Sequence, residues 1–287
     1  MLKDEEIAQK LNRSINSIRN KRRRIGIKKN SKSKYSLNLD FFKFWSNGMA
    51  YILGYIFADG YIRIRKSSME LSIKSKDFGI LNKMNLAMES NYPISKYETD
   101  TGIIYRLSIY RKEIIGDLLN LGLTPRKSLT MIFPKIPYDF IFHFIRGYFD
   151  GDGYVRIIGN SLEIKFTSGS LTFLVGLRKE LEKLSIKSGI YEYSQKKKSY
   201  YVLKIFKENQ KYFIDKLYDQ ASLFLQRKQV VFQEYILNHY NLKIKCIDCG
   251  EEVKKTGRNQ KRCKNCAIKN QREANRISYM KRSLKDS

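Results

Sequence analysis

The chain has 287 residues, 42% of them hydrophobic and 13% aromatic, and its 56 Lys and Arg against 28 Asp and Glu give a formal charge of +28. That apolar content is ample for a packed core and excludes a disordered chain, while so large a basic excess points to a polyanionic partner. The polar start MLKDEEIAQKLN has no apolar leader core and the apolar run near Gly48 to Ala58 is too short for a bilayer, so a cytoplasmic setting without membrane is expected. The charge is uneven: residues 1–34 and 241–287 carry +9 each, and the long middle keeps +10. Two basic flanks on a milder core imply several nucleic-acid contacts along one chain.

The first stretch, DEEIAQKLNRSINSIRNKRRRIGIKK, reads as two short helices joined near Asn12 to Ser14. Ile7, Ala8 and Leu11 make one apolar face and Ile15, Ile18 and Ile25 another, with Ser14 as the cap of the second helix. The unit resembles a helix-turn-helix. Ser14 to Arg24 would be its recognition helix, and Arg13, Asn16, Ser17, Arg19, Asn20 and Arg23 would face DNA.

Next comes YILGYIFADGYI, Tyr51 to Ile62, an apolar helix pattern broken by Asp59 just before a glycine. HFIRGYFDGDGYV, His143 to Val155, repeats it with Asp152. A shift of 93 positions pairs Ile52 with Ile145, Gly54 with Gly147, Tyr55 with Tyr148, Asp59 with Asp152, Tyr61 with Tyr154, Arg63 with Arg156, Glu70 with Glu163 and Ser75 with Ser168. This density of agreement is an internal duplication.

Each copy then runs through the alternating stretch YIRIRKSSMELSIKS or YVRIIGNSLEIKFTS, expected as a hairpin. Helices follow at about 78–90 and 171–185, then strands at 93–98 with 103–110 and at 189–194 with 200–206, then closing helices at 112–121 and 208–219. The expected class is α+β, an α-β-β-α-β-β-α unit built twice about a pseudo-two-fold axis, with antiparallel sheets and helices on one face.

Gly54 with Ala58, and Gly147 with Gly151, put small residues four apart on one side of each leading helix. A glycine inside a helix costs about 1 kcal/mol against alanine, a cost best explained by close approach of another backbone. The natural partner is the other copy's helix, which would bring Asp59 and Asp152 together. Two carboxylates at two helix C-termini oppose both the macrodipoles and each other, and a divalent cation with hard oxygen ligands, Mg²⁺, relieves both.

ILGYIFADG and IRGYFDGDG resemble the paired motifs of LAGLIDADG homing endonucleases in their single-chain form, over about residues 45–238. Tyr55 and Tyr148 depart from the motif's second leucine, and Phe57 replaces the first acid that the second copy keeps as Asp150. The resemblance implies half-domains at 35–137 and 138–240 whose sheets form a saddle along the major groove of a long DNA site. It implies further that Asp59 and Asp152 bind Mg²⁺ and that one phosphodiester per strand is hydrolysed, leaving short 3′ overhangs. Arg63, Arg65 and Arg156 are then DNA-contacting strand residues, and the chain acts as a monomer. Lys127 in LTPRKS and Lys228 in LQRKQ, both in turns, are expected to stabilise the leaving phosphate. Ser75 and Ser168 read as helix-cap residues.

The tail holds all four cysteines as two C-x-x-C pairs, Cys246 with Cys249 and Cys263 with Cys266. This spacing predicts a structural Zn²⁺ site with four thiolates, a zinc ribbon trailed by the basic segment QREANRISYMKRS over 241–287. His143 and His239 lie in no ligand spacing, and His143 is expected to be a packing residue.

The leading expectation is a site-specific DNA endonuclease. The alternatives are an intron maturase, with intron RNA as partner and little cleavage, and a regulator built on a decayed copy of the fold. Retention of both acids favours the nuclease and the helix-turn-helix favours DNA. An intein is not expected, since neither MLKDEE nor SLKDS offers a splicing nucleophile.

Overall fold

A computed structural model describes residues 4–25, 34–159, 161–195, 198–240, 243–255 and 260–283. The chain divides into two compact units, Met1–Ser36 and Leu37–Ser287; the first expected half-domain, 35–137, begins two residues before the second unit, which holds the rest of it, the half-domain 138–240 and the cysteine segment.

In the first unit, α1 (Asp4–Lys10) and α2 (Ile15–Arg24) are joined by a turn in which Asn12 takes a positive φ of 46°, a conformation asparagine tolerates. Ser14 Oγ accepts from Ser17 N at 3.2 Å and caps α2. The expected apolar faces are only partly covered: Ala8 is buried, but Leu11, Ile15 and Ile25 are exposed. Charge takes over instead, as the buried Asp4 carboxylate lies 2.6 Å from Arg22 and Glu5 lies 3.6 Å from Arg19.

The second unit opens with α3 (Asn47–Asp59), capped by Ser46 Oγ, which accepts from Met49 N at 3.1 Å. It continues through β1 (Gly60–Ile64), β2 (Met69–Ser75), α4 (Phe78–Ala87), β3 (Ile94–Thr99), β4 (Gly102–Ile109) and α5 (Lys112–Asn120). After 3₁₀ turns at Lys127–Leu129 and Tyr138–Phe140 the plan repeats: α6 (Ile141–Asp152), β5 (Gly153–Ile158), β6 (Ser161–Ser168), α7 (Leu171–Lys183), β7 (Ser188–Gln195), β8 (Lys198–Ile205) and α8 (Gln210–Tyr218). Then come α9 (Gln226–Tyr240), β9 (Lys243–Lys245), β10 (Glu252–Lys254) and α10 (Lys264–Ser283). Of residues 225–229, expected as a turn, Gln226 to Gln229 instead begin the 15-residue α9. Among the described residues no helix is long and apolar enough to cross a membrane.

The fold is α+β with a duplicated core. Its two four-stranded antiparallel sheets have the equivalent orders β1-β2-β4-β3 and β5-β6-β8-β7. The register repeats as well: Arg63 faces Glu70 as Arg156 faces Glu163, and Leu107 lies between Ile73 and Ile94 as Leu203 lies between Phe166 and Ile190. Alternation explains the burial, since Leu71, Ile73, Leu107 and Ile109 in one sheet and Ile164, Phe166 and Leu203 in the other turn inward against the helices. Asp77 and Ser170 cap α4 and α7, and Ser75 and Ser168 accept from the N–H groups of those caps at 3.1 Å.

The seam of the core is the contact between α3 and α6. A Cβ on Gly54 would overlap the Phe144 carbonyl oxygen, and one on Gly147 would overlap that of Tyr51. Only glycine permits this approach, so the two glycines that weaken each helix locally are what let the two backbones touch.

Candidate functional site

The seam carries the two motif acids to the same end of the core. Gly151 on α6 faces Ala58 and Asp59 on α3, with its Cβ direction 3.5 Å from Asp59 Oδ2. Asp59 is exposed and Asp152 half-buried. Among the described residues, neither carboxylate has a hydrogen-bond or ion-pair partner. The Asp152 pKa is pushed up to about 6, first by burial and then by the neighbouring charge of Asp59, against the opposing pull of Lys127 and Lys228. Asp59, exposed as a whole residue, is raised too because its carboxyl lies partly desolvated against the helix ends, opposed by Lys127, Lys228 and Arg227. Two acids and two lysines therefore form one electrostatic cluster.

Both lysines are anchored to the ends of the motif helices. Lys127 is buried, and its Nζ donates to the carbonyls of Phe57 at 2.6 Å and Ala58 at 2.7 Å. Lys228 is 4% exposed and donates to the carbonyls of Phe149, of Asp150 at 3.0 Å and of Gly153 at 2.6 Å. An ammonium has three N–H donors, so Lys228 has none left for a phosphate. Both charges sit on the carbonyl-rich ends of α3 and α6, where they offset the macrodipole that the acids oppose. Burial lowers both pKa values, that of Lys228 to about 8. Lys127 and Lys228 thus offset part of the charge that Asp59 and Asp152 concentrate there, so relief of repulsion is not left to a metal ion alone. What remains for a metal is the donor set: two solvent-reachable, unpartnered carboxylates, whose hard oxygens suit Mg²⁺.

Behind this cluster lies a buried polar network that local sequence patterns did not flag. Asp150 is 1% exposed, and its Oδ2 accepts from Tyr51 Oη at 2.7 Å and from Leu225 N at 2.8 Å. Arg146 is fully buried, donates to the carbonyls of Leu223 at 2.8 Å and Leu217 at 2.7 Å, and lies 2.8 Å from His143 Nδ1. His143 is thus a packing partner, its pKa pushed down to about 4 by burial and then by Arg146.

The outer sheet faces alternate cations with tyrosines. Arg63 lies 3.4 Å from Glu70 and 5.7 Å from the Tyr61 ring centre, Arg156 is exposed opposite Glu163, and Arg65 is exposed in the β1–β2 turn. Arg106 binds Tyr97 and stacks on its ring at 4.4 Å. Lys204 lies 5.1 Å over Tyr191 and 5.8 Å over Tyr193, which stacks with Tyr200. Arg106 and Lys204 occupy alternate positions to the buried Leu107 and Leu203 in YRLSIY and YVLKIF, so the period-two alternation carries the signal for them.

In the other unit Arg13, Asn16, Ser17, Asn20 and Arg23 are exposed, whereas Arg19 is drawn toward Glu5 and Asp4.

The four cysteine sulfurs lie within 4.8 Å of one another, with Cys249 and Cys263 Sγ 3.8 Å apart. Four thiolates at 2.3 Å around a tetrahedral Zn²⁺ stand about 3.8 Å apart, so the donor set and its spacing fit that ion. Gly250, with φ +75°, closes the first knuckle, and its N–H bonds the Cys246 carbonyl at 2.8 Å.

Residues 139–218 match the family model of the LAGLIDADG-like domain. The matched span runs from the start of α6 to the end of α8, the whole repeated unit of the second half. The chain is also 34% identical over 167 residues to the probable translation initiation factor IF-2 of Methanocaldococcus jannaschii, a match spanning 54% of this chain and 13% of that protein. Among solved structures it is similar to I-DmoI in complex with DNA and Ca, at 16% identity over 69% of this chain and 99% of that one, with a TM-score of 0.48. The homing endonuclease I-WcaI bound to its DNA recognition sequence matches at 15% identity over 74% and 97%, with a TM-score of 0.47.

Proposed function

We propose that the protein is a LAGLIDADG-type, site-specific endonuclease that hydrolyses one phosphodiester in each strand of duplex DNA. The observation that carries this reading is the pair of unpartnered carboxylates, Asp59 and Asp152, presented at the seam of a duplicated core. A pure binding surface has no need of two acids held in mutual repulsion, and a +28 protein gains nothing from them in its contact with phosphates.

Asp59 and Asp152 would hold Mg²⁺. Bound there, divalent ions supply Lewis acidity for the attack of water on phosphorus and offset charge on the phosphoryl oxygens. The chain's own residues do the rest. Lys127 and Lys228 fix the ends of α3 and α6, so the acids are preorganised. Arg63, Arg106, Arg156 and Lys204 from the strands and Arg65 from the β1–β2 turn contact phosphates and base edges, and the neighbouring tyrosines add apolar surface for thymine methyls.

The flanks extend the footprint. The 1–34 module binds as a helix-turn-helix through Arg13, Asn16, Ser17, Asn20 and Arg23, with Arg19 held back by its acidic neighbours. The 241–287 module is a zinc ribbon in which Cys246, Cys249, Cys263 and Cys266 hold a structural Zn²⁺, leaving no open position for catalysis. The protein acts in the cytoplasm as a monomer, with the half-domains 35–137 and 138–240 taking one half-site each.

The test is selection of cleaved duplexes from a randomised plasmid library by the purified chain with Mg²⁺. A single long sequence cut in both strands is expected. Tight binding of structured intron RNA without any cut would replace the nuclease with the maturase reading, and tight binding of duplex DNA alone would replace it with the regulator.

A further inference from the structure

The two halves repeat their folds but do not hold their lysines in the same way. Lys127 sits in a 3₁₀ turn entered through Arg126 in the left-handed region, φ 58°, and the position equivalent to Asp150 is Phe57, packed at 5.5 Å and 6.3 Å from the rings of Phe144 and Phe173. Lys228 sits in the first turn of α9, which has no counterpart after α5. Two cations open that helix, Arg227 and Lys228, at the end where the macrodipole disfavours them.

The position is held by a closed pair of contacts. From α6, the Asp150 carboxylate accepts from Leu225 N at 2.8 Å, at the residue whose carbonyl receives the N–H groups of Lys228 and Gln229. From α9, Lys228 Nζ returns to the carbonyls of Phe149, Asp150 and Gly153, which bracket Asp152. A carboxylate at the start of α9 stabilises the helix that carries the lysine, and the lysine stabilises the end of the helix that carries the catalytic acid. Asp150 also accepts from Tyr51 Oη, while its Oδ1 is buried without a hydrogen-bond partner among the described residues. A buried carboxylate only partly satisfied, at a place where the other half uses phenylalanine, is too unfavourable to be packing alone.

We propose that Asp150 is a positioning residue for one of the two strand-cleaving sites: through Leu225 it sets Lys228, and through Lys228 the end of α6 that bears Asp152. The first half does without it. The two strands therefore depend unequally on this brace. The inference rests on the nuclease reading and adds to it which residue supports which cut.

The experiment uses the full chain with Mg²⁺ and a supercoiled plasmid bearing the duplex that the wild type selects from the library, with each strand labelled separately. Asp150→Asn is expected to slow one strand by about tenfold or more and the other less than about threefold, so that nicked circles accumulate. The slowed strand is the one that Lys228→Met also slows, and binding of the duplex in EDTA stays within about twofold of wild type. Tyr51→Phe removes one hydrogen bond to the same carboxylate and keeps the ring, so it shows the same bias in smaller degree even if Asp150→Asn fails to fold. Equal slowing of both strands, or of neither, by the folded variant overturns the inference while the nuclease reading stands. If the wild type selects no cut duplex, the nuclease reading itself fails, and this inference with it.

Discussion

The carbonyl oxygen of Tyr51 occupies the place where a side chain at Gly147 would begin, and a Cβ there would also come within 2.9 Å of Tyr55 N. Gly54 stands in the reciprocal relation to Phe144 and to Tyr148 N. Alanine at either site must push α3 and α6 apart along their whole contact. Gly147→Ala or Gly54→Ala should destabilise the core by more than about 3 kcal/mol in urea unfolding. Gly116→Ala, on α5 with open space around it, is the control and should stabilise by about 0.5 to 1 kcal/mol. Similar behaviour of all three would mean that the helix contact is looser than described.

Lys228 supplies donors to three carbonyls at the end of α6, and Lys127 to two at the end of α3. Lys228→Met keeps most of the stem but strips those carbonyls of their buried partner. A loss of about 2 to 4 kcal/mol is expected in metal-free denaturation, with a smaller loss for Lys127→Met. No loss in either would mean that the ammonium groups point outward in solution.

Much of this was legible in the sequence, and the limits are physical. Strand alternation and glycine spacing are local, so the repeat, the sheet strands and the α3–α6 contact follow from them. The lysine contacts are not local: Lys127 finds Phe57 at a separation of 70 residues and Lys228 finds Phe149 at 79. Nothing around LTPRKS or LQRKQ says whether an ammonium turns to solvent or to a helix end. The helix α9 escaped for a related reason, since QRKQ opens it with two cations that local rules place elsewhere and its N-terminus is satisfied by Asp150 from another element. In the N-terminal unit the apolar periodicity was real, but Asp4 and Arg22 join the helices where Leu11 and Ile15 were expected to.

Two groups give opposite pH responses. The His143 pKa falls from 6.5 to about 4 on folding, so its contribution is present above pH 6.5 and is lost as pH drops through that window. Asp152 rises from 3.8 to about 6, so the metal-free fold takes up a proton and gains stability as pH falls below 6. Metal-free Asp152→Asn should therefore be more stable than wild type at pH 7 by about 1 to 2 kcal/mol, allowing for solvent screening, and should lack the gain on acidification. His143→Asn should flatten the acid loss. Urea midpoints from pH 4 to pH 8 at intervals of about one unit separate the two, and parallel curves for all three proteins would refute the assignment.

The cysteine cluster should hold one Zn²⁺ per chain by metal analysis, and Cys263→Ser should lose it. Chelation should release amide protection in residues 243–254 and 264–277 and leave the sheets of the core protected. Metal-free protein with the same protection there would show that the thiols pack without an ion.

The most direct measurement is strand-resolved cleavage of the selected duplex by Asp59→Asn, Asp152→Asn and the double variant, beside their affinity for the same duplex. Neither single variant should make a double-strand break, the double variant should cut nothing, and all three should bind about as well as wild type. Full double-strand cleavage by the double variant would contradict the account, because no other pair of acids stands at the seam among the described residues to take their place.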